Sequence, residues 1–306
     1  MTIVPYDELK DAAGFALLSD SAFGHPHTPE QIALRRRVDP RYRDPFGFAL
    51  LEGKTLAGFL GVIDIKARTR SGSVVPCGGI HNVMTRPDYA RRGIAVRLFE
   101  HVHDHFLSRG LLFSFLFTSR SLVAWRLYRK LGYQEMPLSG IQAPAAYQVR
   151  PARGRPAKLK HLTKPPYALA EKLFHDYWGR KRSTFVNDPG WLKGRIKWWR
   201  TSPSGLLVDR DGFACVEVDK DAASVYEFSV RNRAAGERLL RRIESLNRPA
   251  FVHYLVHDRT LLMLYRDRGL SLRPQSFYVC MAKPLGKSSL RSAFGPNFIW
   301  SPLDQF

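Results

Sequence analysis

Residues 87–95 read Pro-Asp-Tyr-Ala-Arg-Arg-Gly-Ile-Ala, a loop running straight into an amphipathic helix. The first turn of a helix leaves backbone N–H groups without partners and carries partial positive charge, so a helix start of this kind is suited to hold an anion. Gly93 lets the backbone approach that anion closely, Ala95 keeps the next position small, and Arg91 and Arg92 add attraction at longer range. The stretch is neither a P-loop, since no Gly-Lys-Ser/Thr follows, nor a GxGxxG fingerprint. Alone, an Arg-Arg-Gly helix start is more often a solvated cap than a ligand site. A second chemistry-bearing stretch, SLVAWRLYRKLGY (121–133), places Tyr128 on a short helix. With an ordinary pKa of about 10, its phenol is a candidate proton donor. His81 is the first candidate for a base. It lies on a strand in alternation with Val83 and Thr85, while Glu52 and Asp64 are weaker candidates.

The elements around these residues follow from periodicity and caps. Thr28-Pro29-Glu30-Gln31 combines an N-cap, a proline at the first helical position and a capping-box Gln, which predicts a helix through Arg37. Phe48–Glu52 and Leu56–Ile65 flank the Gly53-Lys54 turn and read as a hairpin. Ile80–Thr85 is a strand. The helix from Arg92 carries Ile94, Leu98, Val102 and Phe106 at four-residue spacing, an apolar stripe that closes near Gly110. Strand Leu111–Thr118 and helix Ser121–Leu131 follow. The second half shows a hairpin (Leu206–Val208 and Phe213–Val218 about Asp211-Gly212) and a strand Ser224–Val230. A helix from about Ala234 to Ser245, a strand Phe251–Val256 and a helix through Leu264 complete it. The expected class is α/β or α+β.

LYRKLGY (127–133) recurs as LYRDRGL (264–270), and at the same offset strand Leu112–Thr118 falls on Pro249–Leu255. Matching element order on both sides favours a duplicated domain. RPARGRPAKLKH (150–161) reads as a basic connector. The expected division is therefore a catalytic domain at 1–149, a linker at 150–161, and a second, degenerate copy at 162–306.

Together the two motifs resemble the GNAT superfamily, whose members transfer acyl groups from acyl-coenzyme A to amines. Ala90-Arg91-Arg92-Gly93-Ile94-Ala95 is the counterpart of that family's Gln/Arg-x-x-Gly-x-Gly/Ala helix start, and Pro87 and Tyr89 fit the Pro-x-Tyr before it. Ser121, Ala124, Leu127, Tyr128, Gly132 and Tyr133 meet the family pattern Asn-x-x-Ala-x-x-Leu-Tyr-x-x-x-Gly-Phe. Two positions depart from the pattern: Ala90 stands for Gln or Arg, and Ser121 for Asn. The resemblance implies tandem GNAT-like domains, each a mixed, mostly antiparallel sheet flanked by helices, in an arrangement similar to the enhanced-intracellular-survival type. It implies that the amides of Arg92, Gly93, Ile94 and Ala95 hold a pyrophosphate, that Val83 and Thr85 pair with the pantetheine arm, and that Tyr128 protonates the departing thiolate. Ser121 would supply a further polar contact. The co-substrate is then acetyl-CoA, with no metal, and the partner an amine-bearing acceptor: a small amine, a peptide or an aminoacyl group. In the second copy, Glu237 near the helix start would repel a phosphate, so that copy is expected to bind no coenzyme and to shape the acceptor cleft instead.

Composition narrows the alternatives. With 44% hydrophobic and 25% charged residues the chain has the mix of a globular protein. Its N-terminal MTIVPYDELK shows no basic region leading into an apolar stretch, and its apolar runs are strand-sized, so no membrane span is expected. Cys77, Cys215 and Cys280 lie far apart without a CxxC pair and read as buried thiols of a reducing, cytoplasmic compartment. The net charge of +21 attracts polyanions without choosing among them. Trp178, Trp191, Trp198 and Trp199 interleave with basic residues, and this supports an alternative: a non-catalytic GNAT scaffold binding RNA or another anionic partner. Core packing is the plainer account of those tryptophans. His101, Asp104 and His105 share a helix face, but no third ligand accompanies the His pair. His25 and His27 are candidate acceptor contacts.

Overall fold

The computed structural model describes residues 1–136, 144–149, 166–198, 204–274 and 278–305. The chain begins with β1 (Thr2–Pro5), α1 (Ala12–Phe23), α2 (Pro29–Val38), β2 (Gly47–Glu52), β3 (Thr55–Arg68) and β4 (Val74–Thr85). There follow α3 (Ile94–Ser108), β5 (Phe113–Thr118), α4 (Val123–Lys130) and β6 (Gln134–Glu135). Then come β7 (Pro144–Val149), α5 (Tyr167–Trp178), β8 (Thr184–Val186), α6 (Trp191–Trp198), β9 (Ser204–Asp209), β10 (Gly212–Val218) and β11 (Ala222–Val230). The chain continues with α7 (Arg233–Glu244), β12 (Ala250–His253), α8 (Arg259–Asp267), β13 (Ser271–Pro274), β14 (Val279–Pro284) and α9 (Leu290–Phe294).

Two units result. The first takes Met1–Met136 and Phe277–Gly295, the second Pro137–Ser276 and Pro296–Gln305. The division expected at 150–161 lies outside the described residues, and the observed cuts fall elsewhere because the units exchange strands. β7, which lies within the bounds expected for the first domain, pairs between β13 and β12 in the second sheet. β14, expected in the second domain, pairs between β5 and β6 in the first.

The first sheet runs β1-β2-β3-β4-β5-β14-β6, and the second β13-β7-β12-β11-β10-β9. In each, one neighbouring pair is parallel, β4 with β5 and β11 with β12, and the rest are antiparallel. The same pattern twice is the tandem arrangement expected from the repeat.

In the first unit α3 lies on the sheet by the expected stripe: Ile94, Leu98, Val102 and Phe106 are all buried. Each such side chain contributes about 1.5–3 kcal/mol on burial, and Leu98→Ala would cost about 2–5 kcal/mol. Close approach depends on Gly78 of β4, where a β-carbon would lie 2.3 Å from the Phe106 ring. α1 covers the other face through Phe15, which meets Phe59 edge-on at 4.9 Å. Thr28 caps α2 in the capping box expected from the sequence. In the second unit period-two alternation sorts β10. Ala214, Val216 and Val218 face α7 and α8, while Phe213 and Cys215 pack with residues of α5 and α6.

Candidate functional site

A break in β4 builds the site. His81 pairs with Gly61 and Met84 with Phe59, so Asn82 and Val83 together oppose Leu60 in a bulge. Asn82 takes φ 48, a left-handed conformation that asparagine tolerates better than most residues. The parallel ladder to β5 runs only from Gly78↔Ser114 to Ile80↔Leu116. Beyond it, the β5-facing edge of Asn82–Thr85 has no strand partner among the described residues, and Phe117 and Thr118 of β5 pair with β14 on their other side.

The bulge also changes which face each residue addresses. Val83 packs against the core cluster on the α3 side, which includes Ile80 of β4 and Leu98 of α3. The His81 ring instead meets Tyr42 at 5.2 Å and Phe46 at 5.0 Å. The expected alternation of His81 with Val83 therefore fails, because the extra residue shifts the period by one. His81 is 3% exposed, and its Nε2 lies 3.2 Å from the Val62 carbonyl, which can only accept. Nε2 thus carries the proton and Nδ1 the lone pair. Burial lowers its pKa to about 3, so the ring is neutral. A β-carbon at Gly61 would lie 2.3 Å from this ring, so the ladder partner must be glycine here.

At the end of β4 a turn of 3-10 helix (Pro87–Tyr89) leads to α3. Arg91 (φ 63) and Gly93 (φ 75) are both left-handed, and the alternation curls successive N–H groups toward one side as a nest. No side chain caps α3. Its first backbone bond runs from Arg97 N to Gly93 O at 3.0 Å, so among the described residues the amides of Gly93, Ile94, Ala95 and Val96 have no backbone partner. The Arg92 amide, counted with them from the sequence, instead donates at 3.4 Å to Tyr89 O. The Arg92 side chain stacks over Tyr89 at 4.9 Å and lies 3.8 Å from Glu52. Arg91 is exposed. Glu52 thus faces an arginine of the loop, and Asp64 is held by Arg109 at 2.8 Å, so neither weaker base candidate is free.

Tyr128 of α4 sits 6% exposed against Phe99 of α3, ring centroids 5.6 Å apart. Among the described residues its hydroxyl makes no hydrogen bond, and burial pushes the phenol pKa up, which keeps it protonated. Ser121 is exposed, and its hydroxyl lies 2.8 Å from that of Ser119. Sequence reasoning missed the bulge residue: Asn82 Nδ2 lies 3.0 Å from His27 Nδ1, a pairing of residues too distant in sequence for any local signal.

The matching places in the second unit are filled. Asn232 caps α7, its side chain accepting from Ala235 N at 2.9 Å, and Glu237 is tied to Arg233 at 3.1 Å. Glu227, beside the bulge of β11, is buried and bonded by Ser229 at 2.6 Å and by Ser301. Trp178 and Trp191 are 7% and 0% exposed and pack with Phe174 in the core, so neither offers a face for a base to stack on. The side chain of Trp198, and all of Trp199, lie outside the described residues. Among the described residues no three His, Cys, Asp or Glu side chains gather to hold a metal, and His101 and His105 pack edge-on to Phe48. No helix among them is long and apolar enough to cross a membrane.

Residues 7–136 match the family model described as the acetyltransferase (GNAT) domain. No curated protein matches the chain. Among solved structures, a GCN5-related N-acetyltransferase from Kribbella flavida is similar with TM-score 0.68 at 16% identity, over 92% of this chain and 70% of that one. Eis1 from Mycobacterium abscessus is similar with TM-score 0.61 at 15% identity, over 93% and 73%. A tandem GNAT protein from the clavulanic acid biosynthesis pathway is similar with TM-score 0.51 at 14% identity, over 94% and 99%. The family resemblance read from the two motifs and the tandem GNAT fold therefore both hold, and the matched family is one of acyl-transferring enzymes.

Proposed function

We propose that this protein is a cytoplasmic N-acetyltransferase that moves an acetyl group from acetyl-CoA to a primary amine. One observation carries the reading: among the described residues, an uncapped amide nest at α3 stands at the end of a strand edge that has no partner. A pyrophosphate needs convergent N–H donors, and the peptide-like amides of a pantetheine arm need an open strand edge. Gly93, Ile94 and Ala95 would hold the pyrophosphate by their amides, with Arg91 and Arg92 adding charge. The backbone of Val83 and Thr85 would pair with the arm, and Ser121 would offer a hydroxyl beside it.

Acetyl-CoA supplies an activated acyl group, a thioester open to attack by nitrogen. The chain's own residues then place and move protons. Tyr128 holds its proton until a thiolate needs it, since its raised pKa disfavours loss to water. His81 is the poorer base: a ring with pKa about 3 gains little by taking a proton from an ammonium group. It serves instead as the neutral wall beneath the bulge. The second unit's capped helix would leave it without coenzyme.

Calorimetric titration of the full chain with acetyl-CoA tests the reading. One site per chain is expected, followed by thiol release when primary amines are added. A folded protein that takes up no acetyl-CoA, or takes up two per chain, overturns it.

A further inference from the structure

Three polar side chains run in file from the β4 bulge to solvent. Asn82 Nδ2 lies 3.0 Å from His27 Nδ1, His27 Nε2 lies 3.2 Å from His25 Nε2, and His25 Nδ1 lies 3.1 Å from the Phe23 carbonyl. The loop is pinned by the His27 amide, which donates at 2.7 Å to Ser19 of α1, and the Phe23 ring stacks on His27 at 5.9 Å. His27 is 9% exposed and His25 is exposed, so the file leads from inside to outside.

The hydrogen positions follow from its outer end. A carbonyl only accepts, so His25 Nδ1 carries a proton and, in the neutral ring, Nε2 is a lone pair. His27 Nε2 must then donate to it, which leaves His27 Nδ1 as the acceptor for the Asn82 amide. Every contact is satisfied with both rings neutral, and every contact points outward. Resting on the acetyltransferase reading, we propose that this file, His27 and His25 positioned by Asn82, carries the acceptor's proton from the thioester to water.

The step balances. As the amine nitrogen bonds the acyl carbon and the carbon–sulfur bond breaks, the acceptor's N–H displaces the Asn82 amide from His27 Nδ1 and its proton passes to that freed lone pair. The proton on His27 Nε2 moves to His25 Nε2, and the resulting imidazolium releases a proton to water. The thiolate takes its proton from Tyr128, and the phenolate left behind takes one back from water, matching the proton that His25 releases. His27 never becomes charged, and this is why a relay suits the site. Burial, the neighbouring Arg35 and His25 hold His27's pKa down to about 4, so a charge resting on it would be strongly disfavoured. A file that hands the charge on to an exposed ring avoids that cost. The groups facing His27 are His25 on its own loop, Arg35 on α2, Ser19 on α1 and Asn82 with neutral His81 on β4.

Histidine-selective 15N spectroscopy tests the relay without any substrate, using His25→Asn and His27→Asn to assign the rings. At neutral pH His25 should be the Nδ1–H tautomer and His27 the Nε2–H tautomer. When His25 takes up a proton, its Nε2–H must donate inward, and His27 should change to the Nδ1–H form while remaining neutral. Asn82→Asp, whose carboxylate only accepts, should hold His27 in the Nδ1–H form throughout. With acetyl-CoA and benzylamine or ethanolamine as probes, or water as the acceptor if neither reacts, His25→Asn should lower kcat at least tenfold with KM for acetyl-CoA unchanged. The double variant should be no slower than either single one, since a relay fails as a unit. An unswitched His27 tautomer, or a His25→Asn rate within twofold of wild type, overturns the relay while leaving the acetyltransferase reading in place. Failure to bind acetyl-CoA removes both.

Discussion

Gly93→Glu separates the anion nest from the helix it opens. No atom lies within 4 Å of a β-carbon built at Gly93, so the new side chain meets no steric resistance, and the cost to folding is conformational. At φ 75 a residue with a β-carbon pays roughly 1 kcal/mol. A carboxylate at an uncapped helix start returns about 0.3–1 kcal/mol, so the variant should melt close to wild type. Binding is another matter. Two pyrophosphate charges at about 5 Å from the new carboxylate repel it by roughly 1.7 kcal/mol in water and about 7 kcal/mol at an effective dielectric of about 20. Exposure of the loop favours the lower end, and the carboxylate also competes for the Gly93, Ile94 and Ala95 amides. A loss of about 2 kcal/mol, roughly thirtyfold in Kd, is the least to expect. Calorimetry with acetyl-CoA measures it, with circular dichroism melting as the check on folding. Gly93→Ala, which adds a β-carbon into open space without a charge or a capping oxygen, should bind within a few-fold of wild type. If Gly93→Glu binds within threefold of wild type, the pyrophosphate does not sit on this helix.

Three further outcomes follow from the structure. Tyr128→Phe should lower kcat at least tenfold with KM for acetyl-CoA and melting temperature nearly unchanged, because the hydroxyl makes no hydrogen bond among the described residues; steady-state kinetics showing full activity would remove its role as proton donor. In the folded chain burial raises the Glu227 carboxyl from 4.5 to about 7, so between those values the folded state holds a proton the unfolded state lacks, and stability falls as pH rises, by about 3 kcal/mol in all. Urea unfolding at pH 5 and pH 8 should show the wild type losing that stability relative to Glu227→Gln, because the buried histidines His27, His81, His103, His253 and His257, held down to about 3 or about 4, act below pH 6.5 in the opposite sense and equally in both proteins. A fragment of residues 1–149 lacks β14, whose Cys280, Met281 and Ala282 are fully buried, and should fail to give a folded monomer by size exclusion and circular dichroism; a cooperative unfolding transition in that fragment would contradict the exchange of strands.

Local physics was legible in the sequence, and pairing at a distance was not. The Thr28–Gln31 box and the α3 stripe lie within a few turns of chain, and both stand as read. β4 begins at Val74, six residues before the strand expected at Ile80, since Pro76 and the two glycines hide an extended run. β7 and β14 carry no mark of which sheet they join: an apolar strand looks the same to either. The bulge is invisible for a related reason. Asn82 is one asparagine in a strand until the β3 register shows two residues facing one, and from that single shift come the placement of His81 away from Val83 and the contact with His27.

What differs between the two copies is how each disposes of the same backbone needs. Both break the fourth strand of the repeat with a bulge, and both start a helix shortly after it. In the second unit the protein answers the helix amides itself, with Asn232, and seats the buried Glu227 carboxyl against Ser229 and Ser301. In the first unit no side chain caps the corresponding amides among the described residues, and the bulge residue points instead into a hydrogen-bonded file toward solvent. An uncapped helix start and an unpaired strand edge each leave polar groups unsatisfied, which evolution retains where a ligand supplies the missing partners. The duplicated fold thus offers its own control: on the proposed reading, the copy whose needs are met internally would keep no anion site, and the copy that leaves them unmet is where coenzyme would bind.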